Sequence, residues 1–316
     1  MQAFYCVCAD GRRLPVLVNS ILERSPDGTP TLIRTAVFNA TDRRRYETEL
    51  LLATQRAQAS EQRAQQLART LQQTLIPPSP PTIPGLDIAA AYRPAGDGHQ
   101  VGGDFYDISQ IGVGDWLVSV GDVAGKGAEA AVITALARHT IQSAAIQKRS
   151  PAQILSHLNA VLLRDTTTDR FCTVTIIRLR RNKSRWTATI CNGGHPQPLL
   201  LRHNLAPTTL GQLGTLVGVL DTPNFHDNKV TLRPGDTLML YTDGVTEGRR
   251  GNEFFGEARL AHAASTHVRS AQQLCQATLT DVLDFQYGKP RDDIVLLAIR
   301  VLDERENARS QSETGG

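Results

Sequence analysis

Residues 43–75 contain neither glycine nor proline, and the next six are Ile76-Pro77-Pro78-Ser79-Pro80-Pro81. No other feature limits the possible folds of this chain so much. The run is rich in Gln, Arg, Ala, Glu and Leu, all good helix formers. Proline lacks the amide and the backbone freedom to continue a helix, so the rod must stop near Ile76. The chain beyond the prolines is a separate domain. Along the rod, Tyr46, Leu50, Ala53, Ala57, Ser60, Ala64, Leu67, Leu71 and Thr74 recur at a 4-3-4-3 spacing. That is the 3.5-residue period of a coiled coil. Large side chains sit at its ends, while Ala and Ser at its centre bury little area. The expectation is a parallel homodimer through 43–76, with a weak centre that permits two registers.

Residues 3–39 read as three strands. Asp10-Gly11 and Ser25-Pro26-Asp27-Gly28 supply the turns, and Phe4–Cys8, Leu14–Leu22 and Thr31–Phe38 the strands. Such a meander cannot bury both faces by itself. It resembles the last three strands of a PAS sensor domain, including the exit into a helix at Asn39-Ala40-Thr41-Asp42-Arg43. The elements that would wall a ligand pocket are absent from the sequence, so residues 1–42 are read as a partial PAS-like sensor.

The 316 residues are 41% hydrophobic and 21% charged, ordinary for a globular protein. A net charge of +3, without interleaved basic and aromatic residues, argues against a nucleic-acid partner. There is no run of 18 apolar residues and no signal-peptide pattern, which predicts a cytoplasmic protein without a membrane partner. Cys6, Cys8, Cys172, Cys191 and Cys275 are odd in number and scattered, the pattern of reduced structural thiols.

From Pro77 to Leu302 short strand-like segments alternate with grouped helices. Strands are expected at Leu86–Tyr92, Trp116–Val120, Phe171–Leu179, Trp186–Cys191, Pro198–Leu201, Lys229–Leu232, Thr237–Tyr241 and Ile294–Val301. Helices are expected at Ala128–Ile146, Ser150–Leu163, Glu257–Ala264 and Ser270–Phe285. This is the pattern of an α+β domain over 77–302, with antiparallel sheets and helices outside. The polar tail, 303–316, is expected to be disordered.

The chemistry is expected at GGDFYDISQIGVGDWLVSVGDVAGKG, residues 102–127. A hairpin of that size brings Asp104 and Asp122 together at one end of a sheet. Paired carboxylates repel unless a cation lies between them, although aspartates are also common in plain turns. Two more aspartates occupy similar settings: Asp243 after Leu240-Tyr241-Thr242, and Asp292, beside Asp293, before the last strand. Oxygen ligands without cysteine or suitably spaced histidine favour Mg²⁺ or Mn²⁺ over zinc.

These segments also carry a resemblance. Leu75-Ile76-Pro77, Pro84-Gly85-Leu86, Tyr92-Arg93-Pro94-Ala95 and Val101-Gly102-Gly103-Asp104-Phe105-Tyr106-Asp107 are similar to the SpoIIE-like, Rsb-type branch of the metal-dependent (PPM, type 2C) protein serine/threonine phosphatases. So are Gly121-Asp122-Val123-Ala124-Gly125-Lys126-Gly127, Asn192-Gly193-Gly194-His195-Pro196, Leu240-Tyr241-Thr242-Asp243-Gly244 and Asp292-Asp293-Ile294, all in the family's order.

The resemblance implies an αββα sandwich of two antiparallel sheets around two Mn²⁺ or Mg²⁺ ions. Asp122 would bridge both ions, the Val123 carbonyl would ligate one, and Asp104, Asp243 and Asp292 would complete the catalytic centre, with Asp293 the less favoured of its pair. It implies hydrolysis by an activated water, without a covalent enzyme intermediate, of phosphoserine or phosphothreonine on a STAS-type anti-sigma-factor antagonist. It also implies that the helices after Asp122 reposition to complete the metal site, which would couple the heptad linker to 128–163. His195 and Lys126 are read first as a structural residue and a solvated turn residue. The competing reading is a catalytically silent dimeric adaptor whose metal site only holds the fold. A metal-dependent nuclease or phosphodiesterase is disfavoured by the modest charge.

Overall fold

The computed structural model describes residues 2–77, 79–96, 101–148, 150–164, 171–183, 185–266, 270–303 and 306, except for the side chains of 2–3, 44, 47–48 and 64–75. The tail expected to be disordered lies, beyond 303, almost wholly outside the described residues. The chain divides into two compact units, 1–66 and 67–316.

In the first unit β1 (Gln2–Val7), β2 (Arg13–Arg24) and β3 (Pro30–Asn39) form an antiparallel sheet in the order β1-β2-β3. Asp10 accepts from the Arg12 amide in the first turn, and Asp27 accepts from the Thr29 amide in the second. Gly11 and Gly28 take the positive φ these turns require, 81° and 87°. The helix α1 (Thr41–Leu75) comes next. Of its heptad seam, Tyr46, Leu50, Ala53, Ala57 and Ser60 are exposed in the single chain, and the other seam side chains are not among those described.

The second unit holds two five-stranded antiparallel sheets. Its elements are β4 (Leu86–Arg93), β5 (Phe105–Gly112), β6 (Asp115–Val123), α2 (Ala128–Gln147), α3 (Pro151–Arg164), β7 (Cys172–Asn182), β8 (Arg185–Gly193), β9 (Leu199–Leu201) and β10 (Thr208–Thr209). They continue with β11 (Asn228–Leu232), β12 (Thr237–Tyr241), α4 (Asp243–Thr246), β13 (Arg249–Arg250), β14 (Glu253–Phe254), α5 (Gly256–Thr266), α6 (Ala271–Phe285) and β15 (Ile294–Val301). One sheet runs β11-β8-β7-β6-β5 and the other β10-β9-β12-β15-β4.

Alternation along the strands decides which residues face which layer. Val295, Leu297, Ile299 and Val301 of β15 meet Val118, Val120, Ile177 and Leu179 of the other sheet in the central core. The intervening Ile294, Leu296 and Ala298 pack instead with Leu260, Leu274 and Val282 of α5 and α6. A strand buried on both faces must be apolar throughout, which is why β15 reads as an unbroken hydrophobic run. On the outside of the other sheet, Leu117, Val174 and Ile176 pack with Ile133, Ile141, Ile154 and Leu158 of α2 and α3. Each such fully buried aliphatic side chain contributes about 1.5–3 kcal/mol.

Two features differ from the sequence expectation. Asp122 lies within β6, paired with Thr173 of β7, because the strand continues beyond Val120 to Val123. Asp243 does not close a strand but opens the single turn α4, where the Glu247 amide donates back to its carbonyl. Cys172, Cys191 and Cys275 are buried and all five thiols are free. Among the described residues no helix is long and apolar enough to cross a membrane.

Candidate metal centre

The β5–β6 ladder pairs Phe105 with Gly121. Asp104, one residue before Phe105, therefore stands beside Asp122, one residue after Gly121. The segment before Asp104 runs alongside the chain leaving β6. The Val123 amide donates to the Gly103 carbonyl (3.2 Å) and the Gly127 amide to the Val101 carbonyl (2.7 Å). No side chain fits at that crossing. A Cβ on Gly103 would lie 2.1 Å from the Val123 carbonyl oxygen and 2.4 Å from Asp122 Oδ1.

The second sheet brings its aspartates to the same place. The Thr242 amide donates to the Val295 carbonyl (3.1 Å), and the Val295 amide donates back to Thr242 Oγ1 (3.0 Å). This knits the end of β12 to the start of β15 and sets Asp243 beside Asp292-Asp293. Asp104, Asp122 and Asp243 each offer a carboxylate oxygen, and the three oxygens lie within 4.8 Å of one another. Asp104 lies just before β5, Asp122 near the end of β6 and Asp243 on the α4 turn after β12, so both sheets contribute.

The electrostatics are those of a site short of positive charge. Burial, followed by repulsion from Asp122, holds the Asp104 carboxyl well above the usual range. Burial and then the Asp243 and Asp292 charges push Asp122 up to about 7. Asp243 is raised by burial and by Asp292. Asp104 Oδ2 is buried without a hydrogen-bond partner. Converging carboxylates, one oxygen orphaned, and a backbone crossing kept open by Gly103 fit a divalent cation with oxygen ligands.

Asp292 lies at the rim, 55% exposed, with Oδ1 3.0 Å from Lys126 Nζ. It falls outside the group of three, although its charge is felt by Asp122 and Asp243. Asp293 is 3% exposed; its Oδ1 accepts from the Ala95 amide (2.7 Å), while Oδ2 has no partner. A Cβ on Gly102 would strike that Oδ2, at 1.2 Å, and one on Gly244 would lie 2.0 Å from the Asp293 carbonyl oxygen. Asp293 thus ties the end of β4 to the centre, a role its place beside Asp292 did not disclose. His195 is buried, 2% exposed, with Nδ1 2.8 Å from Thr173 Oγ1. Burial pushes its pKa down to about 3, which favours the neutral ring.

Comparison with known proteins agrees with this geometry. Residues 112–302 match the family model of Stage II sporulation protein E (SpoIIE). Phosphoserine phosphatase RsbU of Bacillus subtilis (strain 168) is 27% identical over 241 residues, covering 74% of this chain and 69% of that protein. The RsbU and RsbW domains of Rv1364c from Mycobacterium tuberculosis superpose with a TM-score of 0.61 at 26% identity. That match covers 72% of this chain and 62% of the other, so this chain spans less than two thirds of it. The SiaA-PP2C domain of Pseudomonas aeruginosa shares the fold, with a TM-score of 0.61 at 22% identity over 78% of this chain and 98% of that domain. A family model that covers most of the chain, on a PP2C-type fold whose strand ends converge on a carboxylate cluster, leads to one assignment: the chain belongs to the SpoIIE family, in the Rsb-type branch of the PPM protein serine/threonine phosphatases.

Proposed function

We propose that this phosphatase hydrolyses phosphoserine or phosphothreonine on a STAS-type regulatory protein, with two Mn²⁺ or Mg²⁺ ions held by Asp104, Asp122, Asp243, Asp292 and the Val123 carbonyl. The observation that carries the reading is the convergence of the Asp104, Asp122 and Asp243 oxygens within 4.8 Å. Ions in that place supply a water of lowered pKa and offset charge on the phosphoryl oxygens.

The protein's own part is positional. Asp122 is held by the ladder to β7 and lies next to the one to β5, so its carboxylate has little freedom. Val123 is wholly buried, and the lack of a side chain at Gly103 leaves its carbonyl oxygen uncrowded at the crossing. Asp243 sits on the α4 turn, and Asp292 stands at the rim, paired with Lys126. Among the described residues the cysteine whose thiol feels the Asp122 charge is Cys172, which is buried and whose thiol burial pushes up to about 12. Hydrolysis by direct water attack suits such a site.

The heptad seam of α1 supports a parallel dimer, and the β1–β3 meander supports a PAS-like input module upstream of the phosphatase unit. The RsbU and RsbW names of the relatives support a regulatory protein as partner, and its STAS type is what the family resemblance implies. Manganese-dependent release of phosphate from p-nitrophenyl phosphate and from a phosphorylated STAS protein tests the reading. Equal turnover by Asp122→Asn would refute the mechanism. A monomer in sedimentation equilibrium at high concentration would remove the dimer.

A further inference from the structure

Beside the carboxylate cluster lies a cleft of about 220 Å³ that shares Asp292 with the proposed metal centre. Gly244 and Gly248 form part of its wall, Asp292 lies at its metal-facing edge, and Arg249, Arg291 and Gln286 line the rest. Gln286 is 4% exposed, and its Nε2 has no hydrogen-bond partner. The two arginines are exposed. Arg249 lies over the Phe254 ring at 4.3 Å, which fixes its guanidinium without neutralising it. Among the described residues neither Arg249 nor Arg291 forms an ion pair, whereas nearby Arg250 and Arg259 are both engaged by Glu253.

The lining also includes Glu247, so two arginines face two carboxylates and the cleft carries no net charge. A free anion gains little there. A carboxylate delivered by a chain already anchored at the metal centre gains the two guanidinium forks instead. From these observations we propose that the Arg249–Gln286–Arg291 cleft is a specificity subsite for an acidic side chain next to the phosphorylated serine or threonine of the substrate protein. The inference rests on the phosphatase reading, since it takes the phosphoryl group to lie at the carboxylate cluster. It adds a sequence preference that the carboxylates themselves cannot supply.

The test uses the full chain and three phosphoserine peptides of equal length, with Glu, Ala or Lys flanking the phosphoserine. In the wild type, kcat/KM with manganese favours the Glu peptide by about tenfold, the scale of a charge-assisted hydrogen bond. In the double variant Arg249→Ala/Arg291→Ala that ratio falls to about one. In Arg291→Glu it inverts toward a Lys-flanked peptide. Because each ratio is taken within one protein preparation, partial misfolding cancels. Fluorescence anisotropy of the labelled peptides in EDTA gives a readout independent of turnover. Turnover without discrimination in the wild type, or discrimination that survives the double variant, overturns the subsite alone. Arg-dependent peptide discrimination in binding without any turnover upholds the subsite and overturns the phosphatase reading. Absence of both turnover and discrimination overturns the two together.

Discussion

The ammonium group of Lys126 lies 3.0 Å from Oδ1 of Asp292, joining the loop that opens α2 to the loop that opens β15. Both partners are substantially exposed, 42% and 55%, so the pair contributes about 0.2–1 kcal/mol. It also occupies one of the carboxylates proposed to hold metal. The lysine is therefore a built-in competitor for the cation. Lys126→Ala is expected to raise manganese affinity by up to about fivefold, measured by titration calorimetry of the metal-free protein. Unchanged or weaker binding would mean that Lys126 does not compete.

Asp122 ties protonation to stability. Its carboxyl is raised from an ordinary 3.8 to about 7, by burial first and then by the charges of Asp243 and Asp292. Between those values the folded chain binds more protons at this group than the unfolded one, so stability falls as pH rises from about 4 to about 7. In EDTA, Asp122→Asn is expected to have a higher Tm than the wild type, by a larger margin at pH 7.5 than at pH 5. With saturating manganese the order reverses, because only the wild type gains from the ion. Thermal denaturation at the two pH values, with and without metal, checks both signs.

His195 acts in the opposite sense. Its pKa is pushed down from 6.5 to about 3 by burial, so stability present above 6.5 is lost as pH falls toward 3. The ring is expected to stay neutral in the folded protein. Its Hε1 proton resonance should then hold constant between pH 8 and pH 5. A His195 inflection near 6.5 would make it a candidate general acid.

Gly103→Ala examines the backbone crossing. The added Cβ would meet the Val123 carbonyl oxygen at 2.1 Å and Asp122 Oδ1 at 2.4 Å, and one of these is rigid backbone. The expected cost is about 1–3 kcal/mol in stability. Manganese affinity should fall at least about tenfold, since both displaced oxygens are proposed ligands. Urea denaturation and calorimetry measure the two effects. Normal metal binding in a folded Gly103→Ala protein would exclude the Val123 carbonyl as a ligand.

Much of this protein is written locally. Proline at 77 and 78 ends α1 whatever the fold around it, and the Gly/Pro-free run before it is helical on propensity alone. The period of two in β11 and of 3.6 in α3 follow from which residues are apolar. Turns such as Asp10-Gly11 are set by backbone sterics within four residues. The aspartates at 104, 122, 243 and 292 were visible for the same reason, as acidic residues beside glycines and strands.

Tertiary structure decided what these aspartates face. Asp104 and Asp243 are 139 positions apart, by subtraction of their residue numbers, and they meet only because two sheets pack with their ends aligned. Asp292 and Asp293 are neighbours with the same side chain, yet one reaches the rim and Lys126 while the other is buried against Gly102 and the Ala95 amide. The cleft around Gln286 and Arg291 likewise depends on how α6 ends beside β15. Local sequence fixes backbone periods through steric and solvation effects that act over a few residues. A site made of charges is decided by distance and burial, and those exist only once the sheets have closed on each other. The run from 43 to 75 shows the division within one element: its sequence makes it a helix, and only packing against another surface can say what its seam meets.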